Sequence, residues 1–275
     1  MGADAMNGRV CLVTGATSGI GKEIARGLAG MGATIVIAGR HREKCESATR
    51  EMAGGNVSYL LADLSSQASI RQLAGEFLDK HEKLHVLVNN AGVFMGKRVA
   101  TVDGMESTFA VNHLAPFLLT SLLAGALEKG SPARVVTTSS IAHKGAAIDF
   151  DDLQFEKRSY SGIKAYSQSK LANILFTREL AQRLKGATAN CFHPGGVRTN
   201  LVQTGIYGAV WSMAGPFFAS PEKGADTGVY LASSPDVKGV SGKYFVKRKE
   251  TRPSEAALDG EAARRLWKMS EDLTR

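Results

Sequence analysis

Tyr166 and Lys170 stand four residues apart in the stretch Ser161–Leu184, SGIKAYSQSKLANILFTRELAQRL. On a helix the two side chains share a face, one turn apart. A phenol ordinarily titrates near ~10 and is a weak acid–base catalyst at neutral pH. A fixed cation beside it favours the phenolate and moves the titration toward the working range. The pair can therefore act as a proton-transfer device, although the same spacing also occurs on ordinary helix surfaces. The helix itself is expected because Ile163, Ala172, Ile174, Leu175, Leu180 and Leu184 recur at roughly helical intervals, with no proline until well past the end.

A second set of residues is suited to holding phosphates. Thr14-Gly-Ala-Thr-Ser-Gly-Ile-Gly21 lies between an apolar run, Arg9–Thr14, and a helical pattern, Ile20–Met31. In that context Gly15 permits a tight turn, Gly19 lets the backbone approach a pyrophosphate and Gly21 allows close packing of helix on strand. The helix N-terminus then offers free N–H groups to the phosphates. At the end of the second apolar run stands Ala38-Gly39-Arg40, with no acidic residue, and Lys22 flanks the glycine turn. A carboxylate at that place would bind the ribose 2′-hydroxyl of NAD, whereas an arginine accommodates a 2′-phosphate. NADP(H) is the expected cofactor. NAD(H) stays open if Arg40 is only a solvated loop charge.

Composition limits the alternatives. The 275 residues are 44% hydrophobic and 22% charged, ordinary for a globular protein. Cys11, Cys45 and Cys191 are scattered, with no Cys-x-x-Cys or Cys/His pairing, which argues against a metal site and for a reduced, cytoplasmic setting. The formal charge of +8 is spread along the chain. Its one dense run, 243–249, has no nucleic-acid-binding motif beside it, so no nucleic-acid partner is expected. The first ten residues show no secretory pattern, and Gly205–Ala219, the most apolar long stretch, is too short to span a bilayer.

The elements that must position these residues alternate along the chain. Apolar runs at 9–14, 33–38, 57–61, 84–89, 133–138, 188–192 and 243–246 are separated by helical patterns at 20–31, 42–52, 67–81, 105–128, 161–184 and 222–233. An amphipathic helix from about 255 to 273 closes the chain. Continuous apolar strands between helices predict a parallel sheet covered on both faces. The fold class is α/β, a doubly wound Rossmann-type domain of about seven strands in the order 3-2-1-4-5-6-7. No repeat or linker divides 1–275, and residues 1–7 are expected to form a flexible tail.

The chain resembles the short-chain dehydrogenase/reductase family over nearly its whole length. The motifs that carry the resemblance are Thr14–Gly21, Leu61-Ala-Asp63-Leu64, Asn89-Asn-Ala-Gly92, Asn112, Ser139-Ser140, Tyr166-x-x-x-Lys170, and Pro194-Gly195 with Thr199. Within the family it is most similar to the retinol dehydrogenase-like branch, through 165–176, His193-Pro-Gly195 and Ala263-Arg-Arg-Leu-Trp267. The resemblance implies an alcohol–carbonyl oxidoreductase working on a small, lipophilic molecule. Tyr166 would be its acid and base, Lys170 would lower the Tyr166 pKa and hold the nicotinamide ribose, Ser140 would hydrogen-bond the substrate oxygen, and Asn112 would anchor a relay water. Cofactor contacts would come from Gly15, Thr17, Ser18, Gly19, Ile20, Gly21, Arg40, Asp63, Leu64, Asn90, Ala91, Gly92, Pro194, Gly195, Val197 and Thr199, besides Tyr166 and Lys170. The family also suggests a homodimer or tetramer. A cofactor sensor that has lost catalysis is the alternative, and the intact Asn112, Ser140, Tyr166, Lys170 set weighs against it.

Two departures qualify the resemblance. Twenty-five residues separate Ser140 from Tyr166, about double the gap in compact members, and the branch has a similar insert. The sequence shows no N-terminal membrane anchor of the kind many animal members carry, which puts a membrane-derived retinoid in question. His113 and His143 neighbour Asn112 and Ser140 but are expected outside catalysis, and His193 is expected to pack at a strand end. Asp149, Asp151 and Asp152 read as a surface loop. The apolar segment at about 200–220 is expected to cover the substrate, with a subunit or membrane contact as its rival.

Overall fold

The computed structural model describes residues 5–52, 56–196 and 219–275. Strands β1 (Val10–Thr14), β2 (Thr34–Gly39), β3 (Val57–Leu61), β4 (Val86–Asn89), β5 (Ala133–Thr138), β6 (Ala187–His193) and β7 (Lys243–Val246) run parallel. Their order is 3-2-1-4-5-6-7, with an antiparallel eighth strand, β8 (Lys249–Glu250), beside β7. Alternate residues of each strand feed two separate cores, which is why the strands read as continuous apolar runs. Leu12, Val36, Leu87 and Val135 face one core; Cys11, Val13, Ile35, Ile37, Val86 and Val88 face the other. The first core is covered by α3 (Gln67–Lys80), α5 (Ala115–Leu122) and α7 (Gly162–Arg183), and the second by α1 (Gly19–Ala29), α2 (Arg42–Glu51) and α8 (Pro221–Ser233).

Three details differ from expectation. The helix expected over 105–128 is broken into α4 (Ser107–Phe109), a π-helical turn at Ala110–Leu114, α5 and α6 (Ala124–Lys129). Pro116 has no N–H with which to close an α-helical bond to the Asn112 carbonyl, so the turn around Asn112 widens. The C-terminal helix is likewise interrupted between α9 (Glu255–Leu258) and α10 (Gly260–Leu273), where the Asp259 carboxylate accepts the Glu261 and Ala262 N–H groups as an N-cap. Of the tail expected over 1–7, residues 1–4 lie outside the described residues, and Met6 is buried and donates its N–H to the Met31 carbonyl at 2.8 Å. Among the described residues no helix is long and apolar enough to cross a membrane.

Candidate active site

The glycine turn is built by backbone geometry. Gly15 (φ +65°) and Gly19 (φ +59°) occupy the left-handed region that favours glycine. A Cβ on Gly21 would lie 2.3 Å from Asn90 Nδ2 and 2.5 Å from the Gly15 carbonyl oxygen, so this position excludes any side chain. The Thr14 hydroxyl locks the turn to the loop after β4 by accepting the Asn90 and Ala91 N–H groups at 3.0 and 3.1 Å. The Asn90 side chain returns a bond to the Thr14 carbonyl at 3.1 Å. Asn90 and Ala91 thus brace the turn, a role that spacing alone did not reveal.

A dinucleotide fits this cradle. The first turn of α1 carries no acidic residue, and its N-cap, Ser18, makes no side-chain capping bond, which leaves donors for phosphate. Thr17 and Ile20 are part-exposed on the same turn. At the end of β2, Arg40 is exposed and enters none of the ion pairs among the described residues. Lys22, expected to share the extra phosphate, is instead engaged by the Glu51 carboxylate. Asp63 is exposed beside Leu64. Partial burial raises its pKa, but the Ser65 N–H and hydroxyl, with the charges of Arg40 and His41, bring the net shift downward. It is therefore an ionised acceptor near Arg40. Pro194 and Gly195 follow β6, and at Gly195 (φ +89°) a Cβ would meet no atom of the described residues within 4 Å. Val197, Thr199 and nearly all of the expected covering segment lie outside the described residues; its flanks are joined by the Ala219 N–H to the Gly196 carbonyl at 2.8 Å.

The proton-transfer residues are held by buried side-chain bonds instead. The first residue of helix α7, Gly162, packs so closely on the loop after β4 that a Cβ there would come within 2.4 Å of the Met95 carbonyl oxygen. Ser161 caps it, accepting the Lys164 N–H. One turn in, Tyr166 is half-buried, and Lys170 is buried with its ammonium donating to the Thr138 carbonyl at 3.1 Å. The Ser139 hydroxyl donates to the Lys170 carbonyl at 2.8 Å, pinning the end of β5 to the helix. Fully buried Asn112 exchanges two bonds with Val93, at 2.7 and 3.0 Å, and donates to the Ser169 hydroxyl at 3.0 Å. A Cβ on Gly92 would lie 3.3 Å from Asn112 Oδ1 and 3.6 Å from Lys170 Nζ, so this backbone runs close past both. Ser140, Tyr166, Lys170 and Asn112 are therefore brought together.

Burial sets the electrostatics. It pushes the Tyr166 phenol up to about 12, with the nearby Ser140 side chain pulling the other way. It also drives the Lys170 ammonium down to about 8. The expected lowering of the phenol by Lys170 is thus not the ruling effect, since the ammonium is turned to Thr138 and stands 5.5 Å from the Tyr166 ring centroid. The Phe94 ring lies 5.9 Å from the Tyr166 ring, and Ile141 and Ile163 are large apolar side chains left exposed next to Ser140 and one turn before Tyr166. Among the described residues no cluster of His, Cys, Asp and Glu could hold a metal ion.

Comparison with known proteins gives a consistent result. The family model for short chain dehydrogenases matches residues 9–206. Human retinol dehydrogenase 13 is 44% identical over 97% of this chain and 84% of its own length. Mouse retinol dehydrogenase 12 is 46% identical over 97% of this chain and 86% of its own. The crystal structure of an uncharacterised protein from Mycobacterium Paratuberculosis superposes with a TM-score of 0.81 at 38% identity, covering 98% of this chain and 94% of that one. The Pseudomonas aeruginosa RhlG/NADP active-site complex superposes with a TM-score of 0.71 at 28% identity, covering 89% and 97%.

Proposed function

The chain belongs to the short-chain dehydrogenase family, in its retinol dehydrogenase-like branch, and from that premise we propose that it interconverts a lipophilic alcohol and its carbonyl compound with NADP(H). It is an NAD(P)-dependent oxidoreductase acting on CH–OH and C=O groups. The observation that carries the finer reading is the placement of Tyr166 one turn from buried Lys170 on α7, with the Ser140 side chain near enough to act on the phenol. The nicotinamide supplies or accepts the hydride when bound; orientation and proton traffic fall to the protein.

Ser140 donates to the substrate oxygen and stabilises charge as it develops there. Tyr166, protonated at neutral pH because burial holds its pKa near 12, gives its proton to that oxygen during reduction. Lys170, still cationic below about pH 8, offsets the phenolate that remains. In the opposite direction Tyr166 must first lose its proton, so alcohol oxidation rises with pH while reduction is fastest near neutrality. Asn112 holds the backbone of Val93 and the Ser169 hydroxyl in place beside this pair. The preference for NADP is supported by exposed Arg40 and by the NADP held in the Pseudomonas aeruginosa relative. The lipophilic substrate is supported by the Phe94 ring beside Tyr166 and by the exposed apolar side chains of Ile141 and Ile163, next to Ser140 and one turn before Tyr166 in the chain.

The test is NADPH oxidation against retinal, medium-chain aldehydes, quinones and steroid ketones, repeated with Tyr166→Phe. Turnover of at least one apolar carbonyl is expected, reduced about 100-fold or more in the variant while NADPH binding persists. Undiminished turnover in Tyr166→Phe overturns the mechanism.

A further inference from the structure

We propose that His143 is a positioning residue for Ser140, a neutral imidazole strut that ties the Ser140 peptide to the C-terminal segment. The inference rests on the reading of Ser140 as the group that meets the substrate oxygen.

His143 is fully buried at the end of the 3-10 turn Ile141–His143, which Ser140 opens. Its Nδ1 lies 2.6 Å from the Ser140 carbonyl oxygen. A carbonyl only accepts, so Nδ1 carries a proton and donates it there. On the other side of the ring, Nε2 receives the Ser254 N–H at 3.2 Å, which requires a free lone pair on that nitrogen. Both bonds coexist only in the neutral ring with its proton on Nδ1. The imidazolium would set one N–H against another and break the Ser254 tie.

The bond bears on Ser140 because the residue before it is already fixed. Ser139 donates its N–H to the Phe192 carbonyl at 2.8 Å and its hydroxyl to Lys170, anchoring it to β6 and α7. The orientation left to set is that of the peptide following Ser140, whose carbonyl takes both the His143 ring and the His143 N–H. Ser140 is extended (φ −158°, ψ 158°), and its hydroxyl also accepts the Ala142 N–H at 3.2 Å. Turning that peptide would carry the Ala142 N–H away from the hydroxyl and free the Ser140 side chain to rotate. The Tyr244 ring meets the His143 imidazole edge-on at 5.0 Å and limits its rotation.

The surroundings favour the neutral ring. The groups around it are Ser254 from the C-terminal segment, Tyr244 from β7, His193 from β6, whose pKa it lowers, and Lys144 next in the chain. Burial lowers the His143 pKa, the Ser140 bond opposes this, and Lys144 adds to the lowering. Among the described residues, the Ser254 hydroxyl, the Tyr244 hydroxyl and His193 Nδ1 are buried polar atoms that find no hydrogen-bond partner. A site serving packing alone gains nothing from such costly groups.

The test uses substitutions that keep one half of the strut each. His143→Asn places an amide N–H where Nδ1 was, and His143→Gln places an amide oxygen near the former Nε2. We expect kcat within about threefold of the parent for Asn, and a fall of about 10- to 100-fold for Gln and for His143→Phe, with KM for NADPH unchanged. Nitrogen-15 spectra of the imidazole in the parent protein should show the neutral tautomer protonated on Nδ1 at pH 7. A proton on Nε2, an imidazolium at pH 7, or Gln retaining more kcat than Asn overturns the proposal. If His143→Phe fails to fold, the spectrum and the Asn/Gln pair still decide. Ser140→Ala, measured alongside, separates the two readings. Parent-like turnover in Ser140→Ala removes the premise, whereas lost turnover there with full kcat in His143→Gln removes the strut alone.

Discussion

The two halves of the site are built by different means. Around β1 and β2 the cradle is made of backbone, with glycines in left-handed conformations, a free helix N-terminus, and few side chains beyond Thr14, Arg40 and Asp63. Around β5, β6 and α7 the machinery is made of buried polar side chains, each anchored to a neighbouring element: Lys170 to the Thr138 carbonyl, Ser139 to the Lys170 carbonyl, Asn112 to the Val93 backbone and the Ser169 hydroxyl. The first design accepts a phosphate wherever N–H groups converge and is indifferent to most substitutions except those that add a Cβ. The second holds ionisable groups out of water, which displaces their pKa values and makes them responsive to pH. Binding is the robust half and chemistry the conditional one.

The largest effect should come from striking the backbone half at its tightest point. Gly21→Ala drives a methyl into the Gly15 carbonyl and the Asn90 amide, which cannot both retreat. It should cost about 1–3 kcal/mol of stability together with tens-fold in NADPH affinity, read from denaturant midpoints and fluorescence titration. Unchanged affinity would falsify the claim that this turn is the cradle. Acid should strike the other half. Burial holds His113 down to about 3 and His193 down to about 4, with a contact from Asn173 opposing the former and His143 reinforcing the latter. Between pH 6.5 and 4 the unfolded chain therefore binds protons that the folded rings refuse, and stability falls as pH falls. Melting temperature should drop by several degrees from pH 7 to pH 4.5; a flat profile would mean these rings are not held neutral. The smallest effect sharpens the contrast within the cradle. Arg40→Ala should weaken NADPH about tenfold, the scale of one charge-assisted bond, and leave NADH affinity nearly unaltered in paired titrations. Equal losses for both nucleotides would assign Arg40 to general phosphate attraction.

Much of this arrangement was legible in the residues because it depends on local rules. Period-two burial on both faces made the seven parallel strands visible as apolar runs, and the observed order is the expected one with β8 added at the edge. That addition carries no sequence signal because its turn is Lys247-Arg248, both at positive φ, where asparagine and glycine are the usual residues. Arg248 is held in that conformation by Asp226 and Thr227, more than twenty residues away. The break at Asn112 had a local signal in Pro116, outweighed by the strong helical pattern around it. Lys22 looked available for a phosphate until α2 brought Glu51 beside it.

By itself, then, the sequence determined the alternation of strands and helices, the glycine turn, and the pairing of Tyr166 with Lys170 on one helical face, because each is a matter of nearest-neighbour sterics or a fixed helical period. Tertiary structure alone decided which charges are free, which way the phenol titrates, and what stands behind Ser140. Those depend on burial and on contacts such as Ser254 with His143, 111 positions apart, that no spacing rule encodes. A pKa is a property of surroundings, and the surroundings exist only once the chain has folded.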